Sequence, residues 1–179
     1  WESRDLPRAE WTPAGPSSYE LLYRSGAGLT PRPLRRIASG GELSRVMLAS
    51  KVVLGNADGV DTLVFDEVDA GVGGSTARAL ASVLADLAAT HQVIVVTHLA
   101  QVASWADAQF VVTKEPPDAD DDDLGVVTTI AEVNGETRVH EIARMLSGSE
   151  SEASLDHARE LLSDSRLTLP LAGAGAAGD

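Results

Sequence analysis

Residues 62–98 read TLVFDEVDAGVGGSTARALASVLADLAATHQVIVVTH, and this stretch decides the fold. Thr62–Phe65 and Gln92–Thr97 are short apolar runs rich in β-branched residues, which is typical of buried strands. Between them, apolar residues recur every three or four positions over about Thr76–Thr90, which predicts an amphipathic helix. Strand, helix and strand at this spacing predict a βαβ unit with parallel strands and a right-handed crossover.

Polar side chains follow both predicted strands, at the edge where open α/β sheets bind ligands. Asp66 and Glu67 close the first strand, where a single acid is often only a strand stop. His98 follows the second, where a lone histidine is more often a helix cap or a surface residue. Neighbouring strand ends lie about 5 Å apart, so Glu67 and His98 can converge on one ligand. Asp66 could hold magnesium through its water shell, and Glu67 could orient or deprotonate a water that attacks phosphorus.

The tetrapeptide Ser39-Gly40-Gly41-Glu42 precedes a helix predicted over about Gly41–Leu54. A capping box, in which Ser39 caps the helix and Glu42 reaches back to its amide, explains the serine and the glutamate. It does not explain two consecutive glycines, which cost backbone entropy. Bare backbone at a helix N-terminus also lets an anion approach free N–H groups, so both interpretations stay open. The face predicted to be buried comprises Leu43, Val46, Met47, Ser50, Val53 and Leu54.

The composition of the chain predicts a division into three ranges. Residues 1–17, rich in proline and polar residues, are predicted to be an irregular lead-in, residues 18–165 one α/β domain, and residues 166–179 a flexible tail rich in alanine and glycine. Further elements are predicted as a strand over Tyr19–Arg24, a helix over Ala100–Ala106, a hairpin of Phe110–Lys114 with Val126–Val133, and helices over Thr137–Leu146 and Glu152–Ser163.

Composition excludes several classes of function. The chain has 179 residues, 44% of them hydrophobic, and no apolar run reaches the roughly 18 residues of a membrane span. Cysteine is absent, which excludes disulfides and thiolate metal sites and fits a reducing cytoplasm. A formal charge of −13 makes this piece alone a poor binder of nucleic-acid phosphates. The acidic run 118–123 is interpreted as a solvated loop, since it lacks the spacing of a calcium loop.

Three motifs resemble those of ATP-binding-cassette ATPases in the form used by the SMC-like branch. Residues 39–45 (SGGELSR) resemble the signature motif, residues 64–69 (VFDEVD) the Walker B motif, and residues 96–98 (VTH) the switch-histidine loop. Over about Tyr19–Leu162 the amino-acid sequence is similar to that of the RecN family of bacterial DNA repair proteins. The resemblance implies a P-loop NTPase head of the ABC type, here its carboxyl-terminal lobe without the Walker A half.

The resemblance also implies the chemistry and the partners. ATP and Mg²⁺ would be the cofactors. The partners would be the amino-terminal half of the same head, a second head in an ATP sandwich, DNA through the full-length protein, and the strand-exchange recombinase. The protein would act in the cytoplasm at the nucleoid and not at a membrane. The resemblance implies that Asp66 binds Mg²⁺ and that Glu67 and His98 act in catalysis on the nucleotide of their own head. The residues that would contact the nucleotide of the opposite head are Ser39, Gly40, Gly41 and Glu42.

Three alternatives compete with that interpretation. One is another SMC-family ATPase of chromosome maintenance, and another is a structural domain in which glycines and acids only shape turns. A transporter motor usually carries glutamine in place of Glu42 and proline in place of Val68, and neither fits. Gly73 stands where many cassette ATPases have an aspartate that reaches across the dimer, so no such role transfers. Because no Gly-x-x-x-x-Gly-Lys-Ser/Thr loop is present, we expect this chain alone to hydrolyse almost no ATP.

Overall fold

Eight strands and five α-helices are present in residues 1–36, 39–115 and 127–168, which the computed structural model describes. The strands are β1 (Glu2–Asp5), β2 (Ser17–Glu20), β3 (Leu22–Tyr23), β4 (Arg32–Pro33), β5 (Thr62–Asp66), β6 (Gln92–Val96), β7 (Gln109–Glu115) and β8 (Val127–Val133). The α-helices are α1 (Gly40–Leu54), α2 (Gly74–Ala88), α3 (Ala100–Ala103), α4 (Gly135–Ser147) and α5 (Glu152–Thr168).

The predicted parallel βαβ unit is confirmed. β5 and β6 pair in parallel, with a register that runs from Thr62 opposite Gln92 to Asp66 opposite Val96, and α2 connects them. The apolar face of α2 packs in one core cluster with the side chains of β5 that point towards it. The period of two in the strands and of about 3.6 in the helix therefore produces this unit, as the sequence predicts.

The prediction of buried strands is wrong for one face of this sheet. Val64, Ile94 and Val96 are 65%, 45% and 57% exposed, whereas Leu63 and Phe65 are 6% and 5% exposed. Alternate side chains of a strand point to opposite faces, so α2 covers only one of them. The described residues leave the other face of the sheet open.

α1 buries a different side from the one predicted. Leu43, Met47 and Val53 are 42%, 47% and 85% exposed. The buried residues of the helix are Gly41 and Leu48, and Leu48 joins the core cluster of β5 and α2. Periodicity identifies an apolar stripe but not the element that covers it, and within the described residues this stripe stays uncovered.

α3, α4 and α5 form a second core. Ile142 and Ala143 of α4 and Ala158 of α5 are each 0% exposed. Arg138 of α4 is buried as well, and its guanidinium donates hydrogen bonds to backbone carbonyls at the end of α3, including that of Ala106 at 2.6 Å. These bonds place the buried guanidinium against the carbonyl groups at the end of α3, where helix carbonyls lack intrahelical donors. The helices predicted near residues 137–146 and 152–163 are thus confirmed and pack on each other.

The predicted hairpin of the later strands is confirmed. β7 and β8 pair antiparallel, from Gln109 opposite Val133 to Glu115 opposite Val127. The acidic run 118–123, interpreted as a solvated loop, lies outside the described residues.

The range predicted as an irregular lead-in contains a strand, which corrects that prediction. β1 pairs antiparallel with β2, with Glu2 opposite Glu20, and the Trp1 and Tyr19 rings lie 5.9 Å apart. The strand predicted over residues 19–24 divides into β2 and β3, and β3 pairs with β4. A strand of four polar residues forms because a partner is available further along the chain, which local composition does not reveal.

The last helix extends beyond the predicted domain boundary at residue 165. α5 continues to Thr168, three residues into the range predicted as a flexible tail. Ser165 is buried and donates a hydrogen bond of 2.9 Å to the Ser104 carbonyl, which holds this end of the helix to the core. Residues 169–179 lie outside the described part. No helix within the described ranges combines the length and the apolar character that crossing a bilayer requires.

Candidate functional site

The carboxyl ends of β5 and β6 carry the acids and the histidine singled out from the sequence. Asp66 ends β5 and lies opposite Val96, which ends β6. Glu67 and His98 therefore leave the sheet at the same edge, as the strand order requires. Asp66 and Glu67 are exposed, and the His98 side chain is 70% exposed, so all three are accessible to a ligand.

Asp69, which the sequence reasoning did not single out, links the two strand ends. It is 1% exposed, and its Oδ2 accepts hydrogen bonds from the Thr97 hydroxyl and, at 3.3 Å, from the backbone N–H of His98. The Nδ1 atom of His98 lies 3.4 Å from the same oxygen. The sequence does carry a signal for this residue. It is a third acid two residues after Glu67, in a turn next to the end of β6, where Thr97 offers a hydroxyl and His98 an imidazole.

The turn that follows β5 gives Glu67 an unusual backbone. Its φ is 55°, the one positive φ at a non-glycine residue in the part of the chain described. A left-handed conformation costs an L-residue about 1 kcal/mol, so the surrounding turns must hold it. The backbone N–H of Ala70 donates to the Glu67 carbonyl and that of Val72 to the Asp69 carbonyl, each at 3.0 Å. These turns bring the Glu67 side chain to the N-terminus of α1.

The tip of α1 explains why Gly41 is a glycine. A Cβ at Gly41 would lie 2.7 Å from the Glu67 carbonyl oxygen and 2.8 Å from the Ala70 Cβ, so a side chain there would collide with the turn after β5. A Cβ at Gly40 would lie 2.5 Å from Glu67 Oε2, the end of a flexible side chain that can move away. The second glycine is thus required by packing, whereas the first remains compatible with an approaching anion.

Ser39 and two further side chains of this helix complete the junction. The Ser39 hydroxyl accepts a hydrogen bond from the Glu42 backbone N–H at 3.4 Å, so the serine half of the predicted capping box is present. The Ser44 hydroxyl donates to the Asp66 carbonyl at 2.6 Å. Arg45 Nη1 donates to the carbonyls of Val68 and Ala70 at 3.1 and 2.9 Å. The helix is therefore bound to the acid-bearing turn on both sides of Glu67.

The predicted cofactors can be tested against these groups. Within residues 1–36, 39–115 and 127–168, no three His, Asp or Glu side chains cluster as metal ligands. Magnesium is held in nucleotide sites by one or two carboxylates with waters and phosphates, so the exposed carboxylate of Asp66 fits that requirement. Gly40, at the tip of α1, and the His98 ring are both exposed, so their N–H groups are accessible to phosphate oxygens. A phosphate loop with its lysine is absent from the sequence.

Comparisons with known proteins give consistent sequence matches. The chain is 51% identical over 151 residues to the DNA repair protein RecN of Treponema pallidum, 50% over 154 residues to that of Deinococcus radiodurans, and 48% over 155 residues to that of Streptomyces coelicolor. These alignments cover 84%, 86% and 86% of this chain and 26% of each relative. The chain thus spans about a quarter of the length of the curated relatives it matches.

Two further comparisons complete these findings. No family model matches the chain. A solved structure from work on the ATP-driven dimerization and DNA-stimulated activation of SMC ATPases is 17% identical to this chain. The match has a TM-score of 0.45 and covers 83% of each chain.

Proposed function

We infer, from the homology of this chain to about a quarter of the DNA repair protein RecN, that it supplies part of the ATP-hydrolysing head of an SMC-like DNA repair protein. The observation that carries the proposal is the junction between α1 and the turn after β5. There a glycine-containing helix tip, two acids and an exposed imidazole lie at one sheet edge. That combination suits a triphosphate with a divalent cation.

Each group has a proposed role at this edge. Ser39, Gly40, Gly41 and Glu42 would present the N-terminus of α1 to the phosphates of a nucleotide. Asp66 would hold Mg²⁺ through its water shell, and the cation would neutralise charge on the phosphate oxygens. Glu67 would orient or deprotonate the attacking water, and His98 would contact the transferred phosphoryl group. These residues lie at the ends of α1, β5 and β6, so their backbones are held near one sheet edge, which supports the positioning that phosphoryl transfer requires.

The site is proposed to be composite, because this chain lacks the lysine-bearing phosphate loop. The open face of the β5–β6 sheet supports this, since parallel sheets are normally covered on both faces. Val64, Ile94 and Val96 form an apolar surface that the amino-terminal half of the head would cover. The chain alone is therefore expected to be inactive as an ATPase.

The contact between Glu67 and the tip of α1 bears on the second proposed partner. If α1 meets the nucleotide of a second head, the Glu67 carboxylate that now lies against Gly40 must turn towards its own nucleotide. The side chain is exposed, so this rotation displaces no core packing. When two heads close on ATP, a single rotation of the Glu67 side chain would move its carboxylate away from the tip of α1 and towards the nucleotide of its own head.

DNA and the strand-exchange recombinase are proposed as partners of the complete protein. The formal charge of −13 disfavours a phosphate-backbone contact by this piece. DNA would instead be held by the part of the protein beyond this quarter, and the ATP cycle of the heads would drive the clamping of DNA in double-strand-break repair.

A single substitution tests this function. In the complete protein, Glu67→Gln should lower the kcat for ATP hydrolysis by about 100-fold or more, the range for loss of a general base. The variant should retain ATP binding and should accumulate head dimers, measured by sedimentation with and without ATP. Glu160→Gln, at an exposed site on α5, is the matched control and should leave turnover unchanged.

Two results would contradict the proposal. Turnover by Glu67→Gln equal to that of the wild type would remove Glu67 from the water-activating role. Rapid hydrolysis by the 179-residue chain alone would show that the site is not composite.

A further inference from the structure

We propose that Asp69 is the positioning residue of His98, holding the Nδ1 side of the ring so that Nε2 faces the ligand. The catalytic meaning of this placement rests on the proposed ATPase function, but the placement itself does not. Asp69 would thus act through His98 and would not touch the nucleotide.

Burial and hydrogen bonding single out this carboxylate. Asp69 is 1% exposed, while Asp66 and Glu67 in the same segment are exposed. A buried carboxylate is costly unless donors surround it. Here two donors converge on Oδ2, the Thr97 hydroxyl and the His98 backbone N–H at 3.3 Å, and the Nδ1 atom of the His98 ring lies 3.4 Å from the same oxygen.

The arrangement spans two elements and therefore fixes one against the other. Asp69 lies in the turn after β5, and Thr97 and His98 lie in the turn after β6. The Thr97 hydroxyl also accepts a hydrogen bond of 3.0 Å from the Leu99 backbone N–H, so the second turn is held along its length. Any shift of the acid-bearing turn is thereby transmitted to His98.

The chemistry of the ring follows from its partner. Because an ionised carboxylate only accepts hydrogen bonds, Asp69 at this distance favours the ring tautomer that carries its proton on Nδ1. Nε2 is then the ring atom left for a ligand. A carboxylate at the far side of an imidazole fixes the tautomer and the orientation of the ring in other sites too. The His98 side chain is 70% exposed, so little besides this contact fixes its direction.

A purely structural role predicts a different response to substitution. If Asp69 only ties the two turns together, Asp69→Asn should behave as the wild type, because its amide oxygen still accepts from Thr97 and the His98 backbone. If Asp69 sets the ring, the same variant should keep the fold and shift the tautomer, since a neutral amide oxygen attracts a proton on Nδ1 less strongly than a carboxylate does. Asp69→Ala removes all the contacts and measures the structural contribution.

The tautomer can be measured on the 179-residue chain. Long-range ¹H–¹⁵N correlation spectra at about pH 8, where an ordinary imidazole is neutral, should give a His98 ring protonated at Nδ1. In Asp69→Asn the fraction of the ring protonated at Nε2 should rise, with the backbone spectrum otherwise preserved. Asp86→Asn, at an exposed position on α2, is the control and should leave the His98 signals unchanged.

Kinetics of the complete protein supply the second readout. Asp69→Asn should lower the kcat for ATP hydrolysis about 10- to 100-fold with little change in KM, the range for outer groups that orient a ligand or a catalytic imidazole. An unchanged His98 tautomer, or a changed tautomer with normal kcat, overturns this inference. Absence of ATP hydrolysis by the wild-type complete protein overturns the proposed function instead, and the tautomer measurement distinguishes the two failures.

Discussion

Two regions of the molecule bury their apolar surface to very different extents. The helical unit, formed by α3, α4 and α5, encloses its own core, and Ile142 within it is 0% exposed. The strand unit, formed by α1, β5, α2 and β6, is covered only on the α2 side, and Ile94 on the opposite face is 45% exposed. The difference teaches that the three helices complete their packing within the described residues, whereas the strand unit leaves one face of its sheet open there.

The candidate site lies on the strand unit, which is the less completely covered of the two regions. The acids and the histidine lie on the strand unit, at the end of strands that the chain leaves half covered. Parallel sheets are found almost only with both faces covered, and two strands alone are marginal in water. Under the proposed function, the open face and the lack of a phosphate loop have one explanation, which is the proposed amino-terminal half of the head. Substitutions in the two units should therefore respond differently to the presence of that part.

The largest effect is expected in the helical unit. Ile142→Ala removes buried methyl groups from a closed core, which should lower the free energy of unfolding by about 2–5 kcal/mol. Urea unfolding of the 179-residue chain, followed by circular dichroism, measures the change. A loss below about 1 kcal/mol would show that α4 and α5 are loosely packed and would remove one side of the comparison.

A smaller effect is expected where the two parts of the strand unit meet. Gly41→Ala places a Cβ 2.7 Å from the Glu67 carbonyl oxygen, so α1 must shift away from the turn. We expect a loss of about 1–3 kcal/mol, the usual cost of overpacking, despite the gain of up to about 1 kcal/mol in helix propensity. The same unfolding measurement tests it.

Gly40→Ala is the matched control for that substitution. Its Cβ would meet only the carboxylate end of Glu67, which is exposed and can rotate. The variant should therefore be close to the wild type in stability. Equal destabilisation by both substitutions would contradict the packing explanation for the second glycine.

The same contrast separates what the sequence predicts from what it does not. The βαβ unit and the edge shared by Asp66 and His98 follow from hydrophobic period and strand order, which are local properties. The buried side of α1 does not, because Leu43 and Met47 form an apolar stripe that no described residue covers. Asp69 was missed for a related reason: its burial depends on donors about 28 residues further along the chain.

The smallest effect is expected on the open face of the strand unit. Ile94→Ala makes the same deletion as Ile142→Ala, but at a side chain that water already reaches. In the 179-residue chain it should cost no more than about 1 kcal/mol, since little apolar surface is returned to solvent. In the complete protein, where the proposed amino-terminal half covers this face, the cost should rise towards that of a fully buried isoleucine. Native-state hydrogen exchange of the β6 amides in both proteins measures the two values. A cost that stays small in the complete protein would mean that the face is uncovered there too, and the composite site would lose its structural support.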